Sequence, residues 1–264
     1  MPKSKRQFLK GYEWSNFEGI QSDQQMGLPR PEIQKPAPPD AVRVDLIPPE
    51  AFAIGSVFAI DVIRNRVSHR SFTDESLTIG ELSYLLWATQ GVRGKVVSDG
   101  ITYVMRNVPS GGNRHPFETY LSIQRVDGIQ PGLYRYLPLD HQLIQEKLDP
   151  DLTEQLNRAS LSQNSRSAKR PYYFIKEAAV VFIWTAIPYR SEWRYHNAAA
   201  KLIALDAGHV CQNLYIAAGS IGAGTCAIGA YDQVKMDRFL EVDGEDEFVI
   251  YMAPVGKIGT PIKP

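Results

Sequence analysis

Residues 198–220 read AAAKLIALDAGHVCQNLYIAAGS, and Lys201 and Asp206 are the only Lys, Arg, Asp or Glu residues in the stretch. Small and apolar side chains would lie on most sides of a helix built from this sequence. Such a helix is typical of a position that is buried on most sides. We therefore expect it in the middle of the fold, with His209 as a satisfied core histidine.

A second helix is predicted over residues 78–91, TIGELSYLLWATQG. Thr78 and Glu81 have the spacing of a capping box, in which the side chain of each residue accepts a hydrogen bond from the backbone N–H of the other. Leucines follow at helical intervals until Gly91, which is typical of a helix end.

Four further stretches predict strands. Residues 118–126 alternate as in a half-buried strand, and residues 132–144 predict a hairpin that turns around Pro138 and Asp140. Residues 178–186 and 247–256 are short apolar runs of the kind found in strands that are covered on both faces. Helices and strands do not alternate as βαβ units, so the predicted fold class is α+β with a central, largely antiparallel sheet.

Composition excludes several classes of function. The 264 residues contain 29 Lys and Arg and 29 Asp and Glu, and this balance gives no global attraction to nucleic acid or to a membrane surface. No apolar run of membrane-spanning length is found, and the basic N-terminus lacks the apolar region of a secretory signal. The two cysteines, Cys211 and Cys226, lack metal-ligand spacing, so we expect no metal site and a reducing, cytoplasmic location.

Residues 29–49 contain seven prolines. Proline fixes φ and lacks a backbone donor, so this segment is predicted to be an extended arm rather than a helix or a central strand. A disordered arm and an arm that wraps a partner subunit both fit the sequence. We predict an arm over residues 1–50 and one domain over residues 51–264.

A first candidate binding cluster lies in residues 64–72, RNRVSHRSF. Arg66, Ser68 and Arg70 leave the same face of an extended segment, because side chains alternate along a strand. Two guanidinium groups and a hydroxyl suit a phosphate dianion, since Arg donates paired hydrogen bonds to neighbouring oxygens. A solvated basic edge is the alternative interpretation of this stretch alone.

A second cluster is the run PSGGNRHP at residues 109–116. Gly111 and Gly112 allow the backbone to approach a flat ligand, while Ser110 and Asn113 offer short polar groups that suit the edge of a heteroaromatic ring. His115 is a further candidate for ligand contact. No Gly-Lys-Ser/Thr follows, which excludes a P-loop, and the glycines precede a strand instead of opening a helix, which excludes a dinucleotide-binding fingerprint. A plain tight turn is the alternative.

A third cluster, SIGAGTCAIGAYD at residues 220–232, follows the apolar helix. Gly222, Gly224 and Gly229 free the backbone where a ligand can lie across it. A helix C-cap followed by a loop that requires positive φ explains the same glycines without a ligand.

Taken together and in this order, the clusters resemble the nitroreductase superfamily of flavoproteins, and within it the SagB-type dehydrogenase branch. The similar segments are RVSHRSF (66–72), PSGGNRHPFETYL (109–121), LDAGHVCQNLYIAAGSIGAGTCAIGAYD (205–232) and FVIYMAPVGK (248–257). The resemblance implies an α+β sandwich around a mixed, mostly antiparallel sheet flanked by helices. It also implies an intertwined homodimer that binds FMN at the subunit interface.

The resemblance also implies roles for individual residues. Arg66, Ser68 and Arg70 would hold the FMN phosphate, with Lys257 adding charge nearby. Gly229 and Ala230 would place backbone amides near the flavin N5 and its pyrimidine edge. The isoalloxazine ring would be lined, from the other subunit, by Pro109, Ser110, Gly111, Gly112 and Asn113.

One pair departs from the pattern of the branch. Its azoline-oxidising members carry a Lys-Tyr pair before the glycine-histidine helix, and the matching positions here are Arg194 and Tyr195. Arg stays protonated near neutral pH and is a poor general base, whereas Tyr195 can donate a proton or a hydrogen bond. An ordinary surface or lid pair is the alternative.

The resemblance therefore implies an FMN-dependent oxidoreductase, reduced by NAD(P)H or an organic donor, that acts on a small aromatic, quinone, nitro or heterocyclic substrate. The flavin carries the redox chemistry, so no protein nucleophile is expected. Two alternatives remain. One is a SagB-type azoline dehydrogenase of ribosomal-peptide modification, and the other is a flavin-binding protein without turnover.

Overall fold

The structure is a computed structural model that describes residues 3–15, 17–98, 100–161 and 174–259. These residues form nine strands: β1 (Arg43–Asp45), β2 (Val92–Ser98), β3 (Ile101–Arg106), β4 (Phe117–Ile123), β5 (Gly132–Leu137), β6 (Gln142–Lys147), β7 (Val180–Ala186), β8 (Ala223–Thr225) and β9 (Phe248–Lys257). They also form eight α-helices: α1 (Tyr12–Ser15), α2 (Ala59–Asn65), α3 (Ile79–Gln90), α4 (Leu152–Ala159), α5 (Phe174–Glu177), α6 (Tyr189–Tyr195), α7 (Ala199–Ser220) and α8 (Gln233–Leu240). Short 3₁₀ turns lie at Lys3–Leu9, Phe17–Gly19, Pro49–Ala51, Gly111–Asn113 and His196–Ala198.

Seven strands form one sheet in the order β1-β6-β5-β4-β7-β9-β8, and each of these neighbouring pairs is antiparallel. The isolated bridge between Leu77 and Val126 is parallel. Strands β2 and β3 form a separate antiparallel ribbon, which the sequence analysis did not predict. The predicted α+β class, with a mostly antiparallel sheet flanked by helices, is confirmed.

Helices cover both faces of the sheet. One hydrophobic cluster joins the sheet to α3 and α7, and a second joins it to α4, α5 and α8. Consecutive β7 residues alternate between them, as Phe182 and Trp184 belong to the first cluster while Val181 and Ile183 belong to the second. Full burial of such side chains contributes roughly 1.5–3 kcal/mol each, so the central strands anchor the fold.

The prediction that residues 118–126 form a half-buried strand is wrong in its burial. Every residue of β4 is buried. The polar positions of the alternation do not face water, because Glu118 is ion-paired with Arg190 across 2.6 Å while both side chains are almost fully buried. A strand whose charged residue is buried in an ion pair has the same alternating sequence pattern as a strand with one face in water, so the pattern did not distinguish the two.

The predicted helix over residues 78–91 is confirmed as α3. Glu81 donates its backbone N–H to Thr78 Oγ1 at 3.2 Å, and Thr78 N–H reaches Glu81 Oε2 at 2.9 Å. The capping box therefore fixes the residue at which α3 begins.

Helix α7 runs beside the sheet, as its apolar sequence predicts, but within a single chain it is buried on one face only. Ile203, Val210 and Leu214 lie in the core, whereas Leu205 is 52% exposed. His209, expected in the core, is also exposed. This expectation was wrong for the single chain because the apolar residues of α7 extend over a second, uncovered face.

The proline-rich segment lies on the sheet of its own chain. Arg135 donates Nη1–H to Lys35 O and Nη2–H to Pro36 O, each at 2.9 Å, and Lys35 Nζ pairs with Glu247 Oε2 at 2.6 Å. Further along, Arg43–Asp45 forms the edge strand β1. The division of the chain at residue 50 stays a prediction.

Candidate functional site

A groove of about 920 Å³ opens at the C-terminal end of α7. Its walls come from three segments that the sequence analysis singled out: the end of α2 with the stretch after it, the last turns of α7, and the loop that leads into β8. They contribute Arg66, His69, Tyr215, Gly219, Gly222 and Gly224, among others. Volumes of roughly 300–1,000 Å³ are typical of small-molecule and cofactor sites.

Tyr215 joins the first predicted cluster to the third. Its hydroxyl lies 2.9 Å from Ser68 Oγ and accepts the backbone N–H of Ala227, also at 2.9 Å. The guanidinium of Arg66 lies over its ring, 5.4 Å from the centroid, at a distance typical of a cation–π contact. Sequence reasoning missed Tyr215, and the only available signal was a phenol placed four residues before Gly219 on an otherwise apolar helix.

Arg70 and Ser68 both lower the pKa of the Cys226 thiol. Burial raises the pKa of the Cys226 thiol, while the positive charge of Arg70 and a hydrogen bond with Ser68 oppose that rise. The first cluster therefore faces the loop that contains the third, as a shared binding site requires.

Two glycines of the third cluster have structural explanations. Gly222 follows the end of α7 with φ of 68°, a conformation that favours glycine. A Cβ on Gly224 would lie 2.6 Å from Cγ of His69, and the His69 N–H donates to Thr225 O at 2.9 Å. Gly224 is therefore needed for close contact between two protein segments.

The remaining predicted residues at this end of α7 differ in their exposure. Gly229 and Ala230 are exposed and directly follow Ile228, which is bridged to β9. Lys257 ends β9, where its ammonium pairs with Glu81 and lies 3.4 Å from Ile221 O. The positive charge of Lys257 is thus partly neutralised beside the groove.

The loop 109–113 lies elsewhere, against the N-terminal half of α7. Ser110 Oγ donates to Asp206 Oδ2 at 2.6 Å, and the Gly111 N–H reaches the same carboxylate at 3.1 Å. Burial raises the pKa of Asp206, and these two hydrogen bonds oppose the rise. Pro109 is exposed at the start of this loop.

Side-chain hydrogen bonds within the chain fix the rest of the loop. Asn113 Nδ2 donates to Val104 O at 3.0 Å, and its Oδ1 lies 2.7 Å from Nε2 of His115. Ser110 Oγ also accepts the N–H of His115 at 2.9 Å. The polar groups expected to face a ligand therefore stabilise the shape of the loop instead.

Tyr195 lies against this loop. A Cβ on Gly112 would be 2.2 Å from the Tyr195 hydroxyl oxygen, and Gly112 has φ of 57°. Arg194 lies over the Tyr195 ring with 5.5 Å between Cζ and the centroid. Trp14 packs edge-on against the same ring, with centroids 5.7 Å apart. The predicted catalytic pair and the predicted ring-lining loop thus form one unit.

Within one chain the predicted residues lie in two separate groups, here named half-sites. The first, at the C-terminal end of α7, contains Arg66, Ser68, Arg70, Gly229, Ala230 and Lys257; the second, near its N-terminal half, contains Pro109, Ser110, Gly111, Gly112, Asn113, Arg194 and Tyr195. Asp206 and Tyr215 are nine residues apart on α7, which corresponds to roughly 13 Å along its axis.

No group of three or more metal-ligating side chains is found among the described residues. In the described part of the chain, no helix combines the length and the hydropathy that a membrane span needs.

Comparison with known proteins identifies the family of the chain. Residues 63–257 match the model of the Nitroreductase family. Over 200 residues the chain is 31% identical to the "Putative nitroreductase MJ1384" of Methanocaldococcus jannaschii, with 75% of this chain and 89% of that protein covered. The chain belongs to the nitroreductase family, and this membership supports a flavin-type oxidoreductase.

Two further matches are partial. Over 122 residues the chain is 32% identical to the trifolitoxin-processing protein TfxB of Rhizobium leguminosarum bv. trifolii, with 46% of this chain and 31% of that protein covered. A solved structure from Anabaena variabilis ATCC 29413, described as a "putative nitroreductase", superposes with a TM-score of 0.67 at 22% identity. It covers 91% of this chain and 43% of its own chain, and at this identity it shows the fold alone.

Proposed function

We propose that this protein is an FMN-dependent oxidoreductase that transfers electrons or hydride to a small aromatic, quinone, nitro or heterocyclic molecule. The observation that carries the proposal is the contact of Tyr215 with Ser68, Arg66 and Ala227. This contact draws the phosphate-binding candidates and the glycine loop around one groove. Family membership supplies the class of chemistry.

The residues present fit such a cofactor. The groove has the volume of a cofactor site, and Arg66, an exposed cation, lines it beside the Ser68 hydroxyl, as recognition of a phosphate requires. When bound, FMN supplies the two-electron redox chemistry. The chain holds and orients the cofactor: Arg66, Ser68 and Arg70 bind its phosphate, and the backbone of Gly229 and Ala230 lies at the flavin edge.

We further propose that the two half-sites meet across a homodimer. In a two-fold dimer with antiparallel α7 helices, the N-terminal half of one α7 faces the C-terminal half of the other. The exposed face of α7 around Leu205 and His209, together with the exposed side chains of Phe58, Ile60 and Ile63 at α2, supplies apolar surface for such an interface. Loop 109–113 and Tyr195 of one subunit then complete the groove of the other.

Tyr195 and Arg194 have distinct roles in this proposal. The Tyr195 hydroxyl is held at Gly112, so it can donate a hydrogen bond or a proton to a substrate placed over the loop. Arg194 contributes positive charge over the Tyr195 ring. Neither residue acts as a nucleophile.

The direct experiment is to purify the protein and record its visible spectrum before and after denaturation. Yellow protein that releases FMN, loses its visible absorption band with NADPH or NADH, and regains it with a quinone or nitroaromatic supports the proposal. Colourless protein that ignores added FMN contradicts it. FMN that stays oxidised with every donor supports a flavin-binding protein without turnover.

A second candidate is azoline dehydrogenation on a ribosomal peptide, favoured by the partial match to the trifolitoxin-processing protein. Arg194 weighs against it, because the guanidinium does not accept the ring proton near neutral pH. Reconstitution with a peptide and its cyclodehydratase decides between them: formation of thiazole or oxazole rings supports the peptide reaction.

A further inference from the structure

A group of arginine side chains lies buried beneath loop 109–113. Arg106 and Arg114 are each 4% exposed, and Arg190 is 2% exposed. Arg30, from the proline-rich arm, adds a fourth guanidinium. Burial, together with the charges of these four groups, lowers the pKa of His115 to about 3, so His115 adds no positive charge near neutral pH.

Two residues of the arm, Ile33 and Lys35, make backbone hydrogen bonds to Arg106 and to Glu118. Arg106 Nη2 donates to Ile33 O at 2.7 Å. Two residues later, Lys35 N–H donates to Glu118 Oε1 at 2.8 Å, and Arg190 Nη2 donates to the same oxygen at 2.6 Å. Arg114 Nε donates to Arg190 O at 2.6 Å. These bonds connect the arginines in one network, and the charge of Arg190 acts on Arg106, lowering its pKa.

The charge within the cluster is not balanced. Glu118 is the buried carboxylate that pairs with Arg190, and it also lies 4.0 Å from Arg135. In the described part of the chain, none of the ion pairs includes Arg106 or Arg114. Glu118 also acts on Arg106, so one buried carboxylate is shared by several guanidinium groups, and a further negative charge would stabilise the cluster.

Two N–H groups of the cluster also lack acceptors. Nε of Arg106 and Nη1 of Arg190 are buried and have no hydrogen-bond partner among the described residues. Buried donors in folded proteins are nearly always satisfied, by the chain itself or by a bound species. A water molecule would satisfy the donors but would leave the charge unbalanced.

We propose that the arginine cluster binds a small inorganic anion, with the charge and size of a halide, through the free N–H groups of Arg106 and Arg190. A halide accepts hydrogen bonds and supplies one negative charge. The enclosure of these donors excludes nucleotides and carboxylate substrates. The bound anion would fasten the arm at Ile33 and Lys35 to the segment that carries loop 109–113.

Crystals of the full chain grown with sodium bromide test the proposal directly. Anomalous scattering should show a bromide within hydrogen-bond distance of Arg106 Nε and Arg190 Nη1. A water molecule at this position, an oxygen of the chain itself, or no density there would overturn the proposal.

Solution measurements provide an independent test. The midpoint of thermal unfolding should rise with chloride or bromide concentration and then saturate, relative to sodium gluconate at equal ionic strength, because a ligand of the folded state stabilises it. Equal midpoints in chloride and gluconate would overturn the proposal.

Matched variants test whether the chloride effect on thermal unfolding arises from the arginine cluster. Arg106→Gln should abolish the difference between chloride and gluconate, whereas Arg43→Gln should retain it, because Arg43 is exposed and bonds Gln142. A chloride effect that persists in folded R106Q would contradict the assignment. If R106Q does not fold, the bromide crystal of the natural chain decides.

Discussion

The hydroxyl oxygen of Tyr195 lies 2.2 Å from the position that a Cβ on Gly112 would occupy. Gly112 also has φ of 57°, which is unfavourable for residues with a Cβ. Gly112 therefore holds the predicted ring-lining loop and the predicted catalytic tyrosine in one arrangement.

Gly112→Ala should lower the free energy of unfolding by roughly 2 kcal/mol, because backbone strain and steric overlap add. In a Tyr195→Ala background the overlap is gone, and the cost should fall to about 1 kcal/mol of backbone strain. Urea unfolding of the four proteins measures this coupling. Gly111→Ala is the control, since its Cβ would meet the flexible Leu202 side chain, with Cδ1 nearest at 3.2 Å. Equal costs of Gly112→Ala in both backgrounds would contradict the contact.

Arg66→Ala combined with Arg70→Ala should abolish FMN retention and leave the protein folded, because both side chains are exposed in the single chain and their proposed role is to bind phosphate. Circular dichroism and FMN released on denaturation are the measurements. Arg43→Ala with Arg158→Ala is a charge-matched control that should keep its flavin, because both side chains are exposed and neither lines the groove. Full flavin occupancy in the first double variant would refute the phosphate assignment.

His115 should make stability depend on pH. Its folded-state pKa is about 3, below the ordinary value of 6.5, so the unfolded chain binds one more proton between these values. Stability is therefore lost as pH falls from about 6.5, by about 1.4 kcal/mol per pH unit for one proton. His115→Gln should remove this contribution over pH 4.5–6.5, measured in gluconate. Parallel curves for the two proteins would contradict the burial of a neutral His115.

Removal of residues 1–40 should destabilise the domain by more than about 3 kcal/mol. The deletion removes acceptors for Arg135 and Arg106, together with the ammonium that pairs with Glu247, and leaves several buried polar groups unsatisfied. Urea unfolding measures the loss. A truncated chain with unchanged stability would show that the arm contributes little to the folded domain.

Local patterns were sufficient to predict much of the fold. Thr78 and Glu81 mark the start of α3 through side-chain chemistry that operates over three residues, and the apolar run at 178–186 identifies β7. The burial of β4 was mispredicted, because the partner of Glu118 is Arg190, 72 residues away. No local pattern reveals whether such a carboxylate faces water or an arginine.

The candidate site was predicted in its parts but not in its internal contacts. Glycines and arginines identified the segments, yet Ser110 and Asn113 bond Asp206 and Val104 instead of pointing freely toward a ligand. Tyr215 was missed because its role depends on three contacts that are distant in sequence. Such contacts arise only when α7 packs beside the loops.

The central claim is that one flavin site uses residues of two subunits. A heterodimer of an Arg66→Ala, Arg70→Ala protomer with a Gly112→Val protomer tests it, purified through two different tags after each parent homodimer has been found free of FMN. If sites are shared, the intact loop of the Arg66→Ala, Arg70→Ala protomer meets the intact phosphate-binding half-site of the Gly112→Val protomer. The heterodimer should then bind one FMN and show about half of the natural activity. A heterodimer that binds no FMN, although the natural protein binds two, would contradict the claim.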